Sequence, residues 1–167
     1  MGNLNYGKHT YGNLIRRGNM NNITVGSFCS IAVNVVVDSG FNHNPKWIST
    51  YPFNSNLQYG VPHNVICKGD ITIGSDVWIG EDTMIMSGVN IGHGSIVGAR
   101  SIITKDIEPY SMVVGAGRFV KKRFSDNQIE SLLNIKWWEW EDEKIEEAAP
   151  LLMSENIDDF INKYKVQ

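Results

Sequence analysis

A six-residue repeat dominates the middle of the chain. A helix cannot satisfy this spacing, because six residues at about 100° each place successive side chains on opposite faces. A solenoid can, if each hexapeptide forms one short strand and a turn, so that three hexapeptides close a triangular coil of about 18 residues. The repeat therefore predicts a mainly β, parallel solenoid with an interior aliphatic ladder. The aliphatic positions are Ile73, Ile79, Ile85, Ile91, Val97 and Ile103.

Other residues share the phase of this repeat. An earlier stretch repeats it at Val25, Ile31 and Val37. A β-sandwich is the alternative, but it requires period-two alternation and irregular hairpin turns. Small or β-branched residues stand four positions after the aliphatic ones, at Val77, Thr83, Val89, Ser95, Ser101 and Ile107. Glycine follows the aliphatic residue directly, and we expect it to accommodate the turns, at Gly74, Gly80, Gly92 and Gly98.

Two segments do not follow the repeat. Residues 38–72 are rich in Asn, Pro and aromatic residues, which predicts an excursion loop. Beyond Pro109 the pattern ends, and residues 125–167 form a predicted helical tail. The sequence thus predicts one domain, with a β-solenoid over residues 1–124 that includes the loop, followed by the tail.

The tail carries signals for three helices. Ser125 followed by Gln128 is a capping-box pattern that begins an amphipathic helix. We expect a second helix from Asp142 to Ala149, ended by Pro150, and a third after Asn156. The tryptophans between the first two helices, Trp137, Trp138 and Trp140, are expected to pack the tail onto the coil or onto a neighbouring subunit.

Composition excludes several classes of protein. The net charge of −3 provides no basic field for nucleic acid. No stretch reaches the roughly 18 to 20 apolar residues of a membrane span, and the first residues lack an apolar signal-peptide core, so a cytoplasmic protein without a membrane partner is expected. Cys29 and Cys67 have no metal or redox spacing, and no closely spaced histidines indicate a metal site. Both cysteines are predicted to be reduced.

Three segments resemble the xenobiotic acetyltransferase group of the hexapeptide-repeat family, which includes type B chloramphenicol and streptogramin (virginiamycin) acetyltransferases. They are NHNPKWISTYPF at 42–53, the repeat at 68–117, and KKRFSDNQIESLLNIKWWEW at 121–140. The resemblance implies a left-handed parallel β-helix and acetyl transfer from acetyl-CoA, with no metal. It also implies a homotrimer whose sites lie at subunit interfaces.

The resemblance places the general base on His43. An acceptor hydroxyl must lose a proton as it attacks the thioester, and neutral imidazole titrates near pH 7. Asn42 and Tyr51 are implied to bind the acceptor. The alternative for a loop histidine is a merely hydrogen-bonded residue. Of the other histidines, His93 at a repeat turn is expected to face solvent, while His9 lies in the leader and His63 in the loop.

The resemblance also implies a binding site for acetyl-CoA. Trp78 should border the pantetheine arm, and cations should meet the phosphates. One departure concerns these cations, because the Gly-Asn-Pro-Ala turn common in the family is here Gly-Ala-Gly-Arg at 115–118. The residues implied are Trp78, Gly80, Gly98, Ala99, Thr104, Lys105, Arg118, Lys121 and Lys122.

The acceptor stays open. The loop over 54–67 is short compared with antibiotic-modifying relatives, which favours a sugar or another small hydroxyl- or amine-bearing acceptor. The alternatives are an antibiotic-inactivating O-acetyltransferase and a solenoid that serves only as a binding scaffold.

Overall fold

Over the residues that the structure describes, the fold is mainly β with three short helices. The computed structural model describes residues 2–18, 20–40, 42–51, 53 and 66–165. The strands of the described residues are β1 (Leu4–Tyr6), β2 (Ile15–Arg17), β3 (Ile23–Val25), β4 (Ser30–Ile31), β5 (Val36–Asp38), β6 (Ile71–Ile73), β7 (Trp78–Ile79), β8 (Met84–Met86), β9 (Asn90–Ile91), β10 (Ile96–Val97), β11 (Ile102–Ile103), β12 (Ser111–Val114) and β13 (Arg118–Lys122). We call these strands and their connections the β body.

The strands form three sheets. Sheet A has the order β1-β3-β6-β9, sheet B β13-β12-β10-β7-β4, and sheet C β11-β8-β5-β2. From β3 to β11 each strand belongs to a different sheet from the one before it, so the chain visits A, B and C in rotation. Pairing is parallel throughout except for β12 with β13. The six-residue repeat therefore corresponds to one strand and one turn, as predicted.

The aliphatic ladder occupies the interior. Ile73 pairs with Ile91, Ile79 with Val97 and Ile85 with Ile103, each partner one circuit of three strands further along the chain. All six positions of the main repeat and the three earlier ones are buried. The small or β-branched residues four positions later are buried as well. The predicted core is confirmed.

The glycines after the ladder have a different reason from the one expected. None of Gly74, Gly80 and Gly92 has a positive φ. A Cβ on Gly80 would instead lie 2.4 Å from the backbone nitrogen of Ala99, in the turn stacked on it. Left-handed backbone occurs two residues later, as at Asp82 with φ 55°. These glycines permit close stacking of turns rather than an unusual backbone conformation.

The tail forms three helices, α1 (Asp126–Ile135), α2 (Asp142–Leu152) and α3 (Ile157–Tyr164), with a 3₁₀ turn at Trp137–Glu139. The predicted capping box is present, since the Ser125 N–H donates to Gln128 Oε1 at 3.1 Å. The expected end of the second helix before Pro150 is wrong. Proline lies in the last turn of α2, and the Met153 N–H closes that turn on the Ala149 carbonyl at 2.9 Å.

The tail packs against the AB turns of the same chain, residues 26–29, 74–77, 92–95 and 108–110, which lead from sheet A into sheet B. Trp138 stacks on His93 with ring centroids 4.5 Å apart, and Trp137 lies 5.0 Å from Phe28. The expectation that His93 faces solvent is wrong, because its Nδ1 accepts a hydrogen bond from Ser75 N–H at 2.8 Å under the indole. Burial lowers the pKa of His93, which favours the neutral ring.

Candidate functional site

The excursion loop leaves sheet C after β5 and returns to sheet A before β6. Its base is closed by a pair of backbone hydrogen bonds, from Asn42 N–H to the Ile66 carbonyl at 3.2 Å and from Ile66 N–H to the Asn42 carbonyl at 3.0 Å. His43 follows this bridge directly. His43 is therefore held next to a point of the loop where two backbone hydrogen bonds fix the chain.

The ring of His43 is oriented by its own loop. Its Nδ1 lies 2.7 Å from the carbonyl oxygen of Thr50. A carbonyl can only accept, so Nδ1 carries the proton in this contact and the neutral ring leaves Nε2 with a free lone pair. His43 is exposed, so this nitrogen is open to a ligand. Thr50 was not found by sequence reasoning, because every residue has a backbone carbonyl.

The residues after His43 form tight turns. Asn44 Oδ1 accepts from Lys46 N–H at 2.9 Å, and Ser49 Oγ accepts from Tyr51 N–H at 3.1 Å. The ring of Tyr51 meets that of Phe53 edge to face, with centroids 5.0 Å apart. An aromatic surface therefore begins one residue after the carbonyl that orients His43. Residues 54–65, including His63, lie outside the described residues.

Four of the residues implied for acetyl-CoA lie along one edge of the β body. Trp78 points outward from sheet B with 55% of its surface exposed. Gly80, Gly98 and Ala99 belong to the BC turns, 80–83 and 98–101, which lead from sheet B into sheet C. Gly80 stacks against Gly98 and Ala99, so these small residues form a column that begins two residues after Trp78.

The remaining residues implied for acetyl-CoA form a second group. Thr104, Lys105 and Lys122 border one open depression beside Gly117 and Phe119. Arg118 and Lys121 lie on the same exposed strand as Lys122, β13. Lys122 also forms an ion pair with Asp126, four residues later at the start of α1, which partly neutralises its charge. The hydrogen bond of His43 stays within its loop and reaches neither group.

Three further predictions concern the state of the cysteines, a metal site and a membrane span. Cys29 and Cys67 are free thiols, and burial raises the pKa of Cys29. Within residues that the structure describes, no group of three His, Cys, Asp or Glu side chains is placed to hold a metal. Over the same residues, no helix has the length and apolarity needed to cross a membrane.

Comparison with known proteins gives the family. The family model for bacterial transferase hexapeptide (six repeats) matches residues 70–105. A probable macrolide acetyltransferase of Lysinibacillus sphaericus is 42% identical over 85% of this chain and 83% of its own length. A chloramphenicol acetyltransferase of Klebsiella aerogenes is 38% identical over 84% of this chain and 70% of its own.

A solved structure agrees with these relatives. The hexapeptide-repeat-containing acetyltransferase of Vibrio cholerae, solved with acetyl coenzyme A, superposes with a TM-score of 0.59 at 26% identity. The match covers 73% of this chain and 61% of that chain, so this chain spans less than two thirds of the neighbour.

The strand circuits and these matches define an acyltransferase of the hexapeptide-repeat class. Within that class, the chain belongs to the xenobiotic acetyltransferase group, with the chloramphenicol and macrolide acetyltransferases as relatives. The chain is therefore an enzyme, and a role as a mere scaffold is not supported.

Proposed function

We propose that this enzyme transfers the acetyl group of acetyl-CoA directly to a hydroxyl or amine of a small acceptor, with His43 as general base. The acceptor proton passes to Nε2 as the acceptor oxygen or nitrogen attacks the acetyl carbonyl carbon. The carbon–sulfur bond then breaks, and the thiolate of coenzyme A leaves. The observation that carries this proposal is the hydrogen bond from His43 Nδ1 to the Thr50 carbonyl, which leaves Nε2 as the base.

Acetyl-CoA is the proposed donor. The relative from Vibrio cholerae was solved with this molecule. Exposed Trp78 offers an apolar surface for a pantetheine arm, and the glycine column of the BC turns lets a ligand approach the backbone closely. Arg118, Lys121 and Lys105 are exposed cations suited to the phosphates, whereas Lys122 would have to exchange Asp126 for a phosphate.

We further propose left-handed winding of the strand circuits and assembly as a homotrimer. Ordinary parallel crossovers are right-handed, and family membership is what supports the opposite hand here. The outward faces support assembly, because sheet A carries a polar row and sheet C an apolar one. The polar row is Asn5, Thr24, Thr72 and Asn90, and the apolar row is Ile15, Val36, Met84 and Ile102.

A specific observation favours an antibiotic as the acceptor. Two relatives at 38% and 42% identity are named for chloramphenicol and macrolide acetylation. The preference for a sugar depended on the short loop over 54–67, most of which lies outside the described residues. Measuring thiol release with chloramphenicol, a macrolide, virginiamycin M and nucleotide amino sugars distinguishes the two.

Replacing His43 tests the proposed base. His43→Ala should lower kcat by about 10²- to 10⁴-fold, because the acceptor proton loses its recipient. Its affinity for acetyl-CoA, measured by isothermal titration, should stay within about twofold of wild type, since the implied donor residues lie on other elements. His9→Ala is the matched control, because His9 is also exposed but contacts Asp142 of the tail. Near-normal turnover of His43→Ala would refute the assignment.

A further inference from the structure

The excursion loop takes the place of a turn in the β body. The turn from β2 to β3, the loop from β5 to β6 and the turn from β8 to β9 all lead from sheet C into sheet A. The two ends of the loop therefore lie between two stacked turns. The turn before it contains Asn21, and the turn after it contains Gly88.

Asn21 holds the second end of the loop. Its side chain is only 9% exposed, and its Nδ2 donates to the Gly69 carbonyl at 2.6 Å and to Cys67 Sγ. These two hydrogen bonds use both N–H groups of the amide. The carbonyl of Asn21 accepts from Arg16 Nη2 at 2.6 Å, which fixes its backbone. From the other side, the Gly88 N–H donates to the same Gly69 carbonyl at 3.0 Å.

Cys67 connects this end of the loop to the first end. Its thiol donates to the Ser39 carbonyl at 3.5 Å, and a Cβ on Gly40 would lie 2.9 Å from its sulfur. Ser39 is itself attached to β2, because its N–H and its Oγ donate to the Arg17 carbonyl at 2.8 and 3.0 Å. Both ends of the loop are therefore tied to Arg17 and Asn21. We call these contacts the loop junction.

The path from the loop junction to His43 is short. Ile66 precedes Cys67 and forms both backbone hydrogen bonds with Asn42, and His43 follows Asn42. The Thr50 carbonyl orients the imidazole within the loop, but it does not determine where the loop stands on the β body. That position depends on the loop junction.

We propose that Asn21 is a positioning residue for acetyl transfer. By binding Cys67 and Gly69, it fixes where the excursion loop presents His43 to the acetyl group. This inference rests on the proposed role of His43 as general base, and Asn21 itself takes no part in proton transfer. A misplacement of about 1 Å can lower a rate by about 10²-fold, so a loosened junction lowers turnover although the base is still present.

Asn21→Ala tests this role by thiol release from acetyl-CoA, with whichever of chloramphenicol, a macrolide, virginiamycin M or a nucleotide amino sugar reacts fastest. We expect kcat to fall by about 10- to 100-fold, while the affinity for acetyl-CoA stays within about twofold of wild type. Asn22→Ala is the matched control, because this exposed neighbour binds Asp70 through Nδ2 at 3.0 Å and does not contact the loop junction. An unchanged kcat in folded Asn21→Ala, as judged by circular dichroism and Tm, overturns the proposal.

The thiol offers a second pair of variants if Asn21→Ala does not fold. Cys67→Ala removes the contact from the other side and should lower kcat by about 3- to 10-fold. Cys67→Ser keeps a group that accepts from Asn21 and donates to the Ser39 carbonyl, so it should retain at least about half of the wild-type kcat. Equal losses in the two variants would contradict a role for these hydrogen bonds.

The His43→Ala background separates positioning from a general defect. If Asn21 acts through His43, adding Asn21→Ala to His43→Ala should lower kcat by less than about twofold. A loss as large as in the wild-type background would overturn the positioning role and leave His43 as the base. Near-normal turnover of His43→Ala alone would instead remove the proposed base, and the positioning role with it.

Discussion

At the scale of single residues, one backbone carbonyl determines the tautomer of His43. The carbonyl of Thr50 is seven residues away along the chain and belongs to the same loop, so the ring is oriented locally. Such an arrangement needs no carboxylate partner, unlike the histidine of a Ser-His-Asp triad. The consequence is that the proposed base depends on the shape of residues 43–50 rather than on a second charged side chain.

Asp76 permits a prediction about pH and stability. Burial raises its pKa to about 6, against the opposing effect of the Arg123 guanidinium. The folded state thus binds the proton more tightly than the unfolded state, and stability is lost as pH rises between about 4 and 6. Asp76→Asn lacks this charge. Its free energy of unfolding should exceed that of the wild type by about 1–3 kcal/mol at about pH 8, and by much less at about pH 4.

Urea unfolding of both proteins across this pH range measures the difference between their free energies of unfolding. The other carboxyl groups titrate in both proteins, so their effects cancel in this difference. Asp82→Asn is the matched control for an amide in the left-handed turn position, since Asp82 has φ 55° and Asp76 has φ 60°. A stability difference between Asp76→Asn and wild type that shrinks with rising pH would contradict the interpretation.

At the scale of elements, the spacing of the turns depends on contacts without side chains. A Cβ on Gly92 would lie 2.4 Å from the nitrogen of Pro109, which is backbone and part of a rigid ring. A Cβ on Gly98 would first meet Val114 Cγ1 at 2.9 Å, the end of a side chain. The same substitution therefore meets a fixed neighbour at one turn and an adjustable one at the other.

We predict that Gly92→Ala lowers the free energy of unfolding by about 1–3 kcal/mol, because the stacked turn must move. Gly98→Ala should cost clearly less, since Val114 can change its rotamer. Thermal and urea unfolding of the two variants beside wild type make the comparison. Equal losses in both variants would show that the backbone preference of glycine, rather than the stacking of turns, explains why these positions hold glycine.

The elements also show what the sequence could predict. The inward ladder was predictable, because each buried position carries an aliphatic residue at a fixed interval, as at Ile79 and Val97. The left-handed turn positions were not, since they hold residues as different as Asp76, Arg100 and Tyr110. These residues share a place in the turn and a backbone conformation, but no residue type. Which of them contact the tail depends on how α1 to α3 dock, and no local pattern encodes that.

The same limit applies to two histidines. His43 was predicted from a motif of its own loop, and its partner Thr50 was not, because a carbonyl leaves no trace in the sequence. His93 has no such motif. Its partner Trp138 lies 45 positions further along the chain, so its ring contact follows only from tertiary packing.

At the scale of the whole molecule, the two faces of the β body differ in polarity. Along sheet A the outward row consists of Asn and Thr, which water solvates well. Along sheet C one outward row is apolar, beside a second row of Arg17, Asp38 and Met86, and Ile15 and Ile102 of the apolar row are about half exposed at 48% and 51%. A contiguous apolar row on a folded surface is typical of an interface. This asymmetry leads to a test of the proposed homotrimer.

Met84→Lys should dissociate the trimer, because it places a charge in the middle of the apolar row of sheet C, paired with Val36 and Ile102. Thr72→Lys is the matched control, since it introduces the same side chain at the outward position of sheet A in the same strand circuit. Light scattering after size exclusion should give three chains per particle for wild type and Thr72→Lys, and one for Met84→Lys. Monomeric wild type would refute the trimer, and a trimeric Met84→Lys would place the interface elsewhere. If the site lies between subunits, turnover should fall together with the assembly.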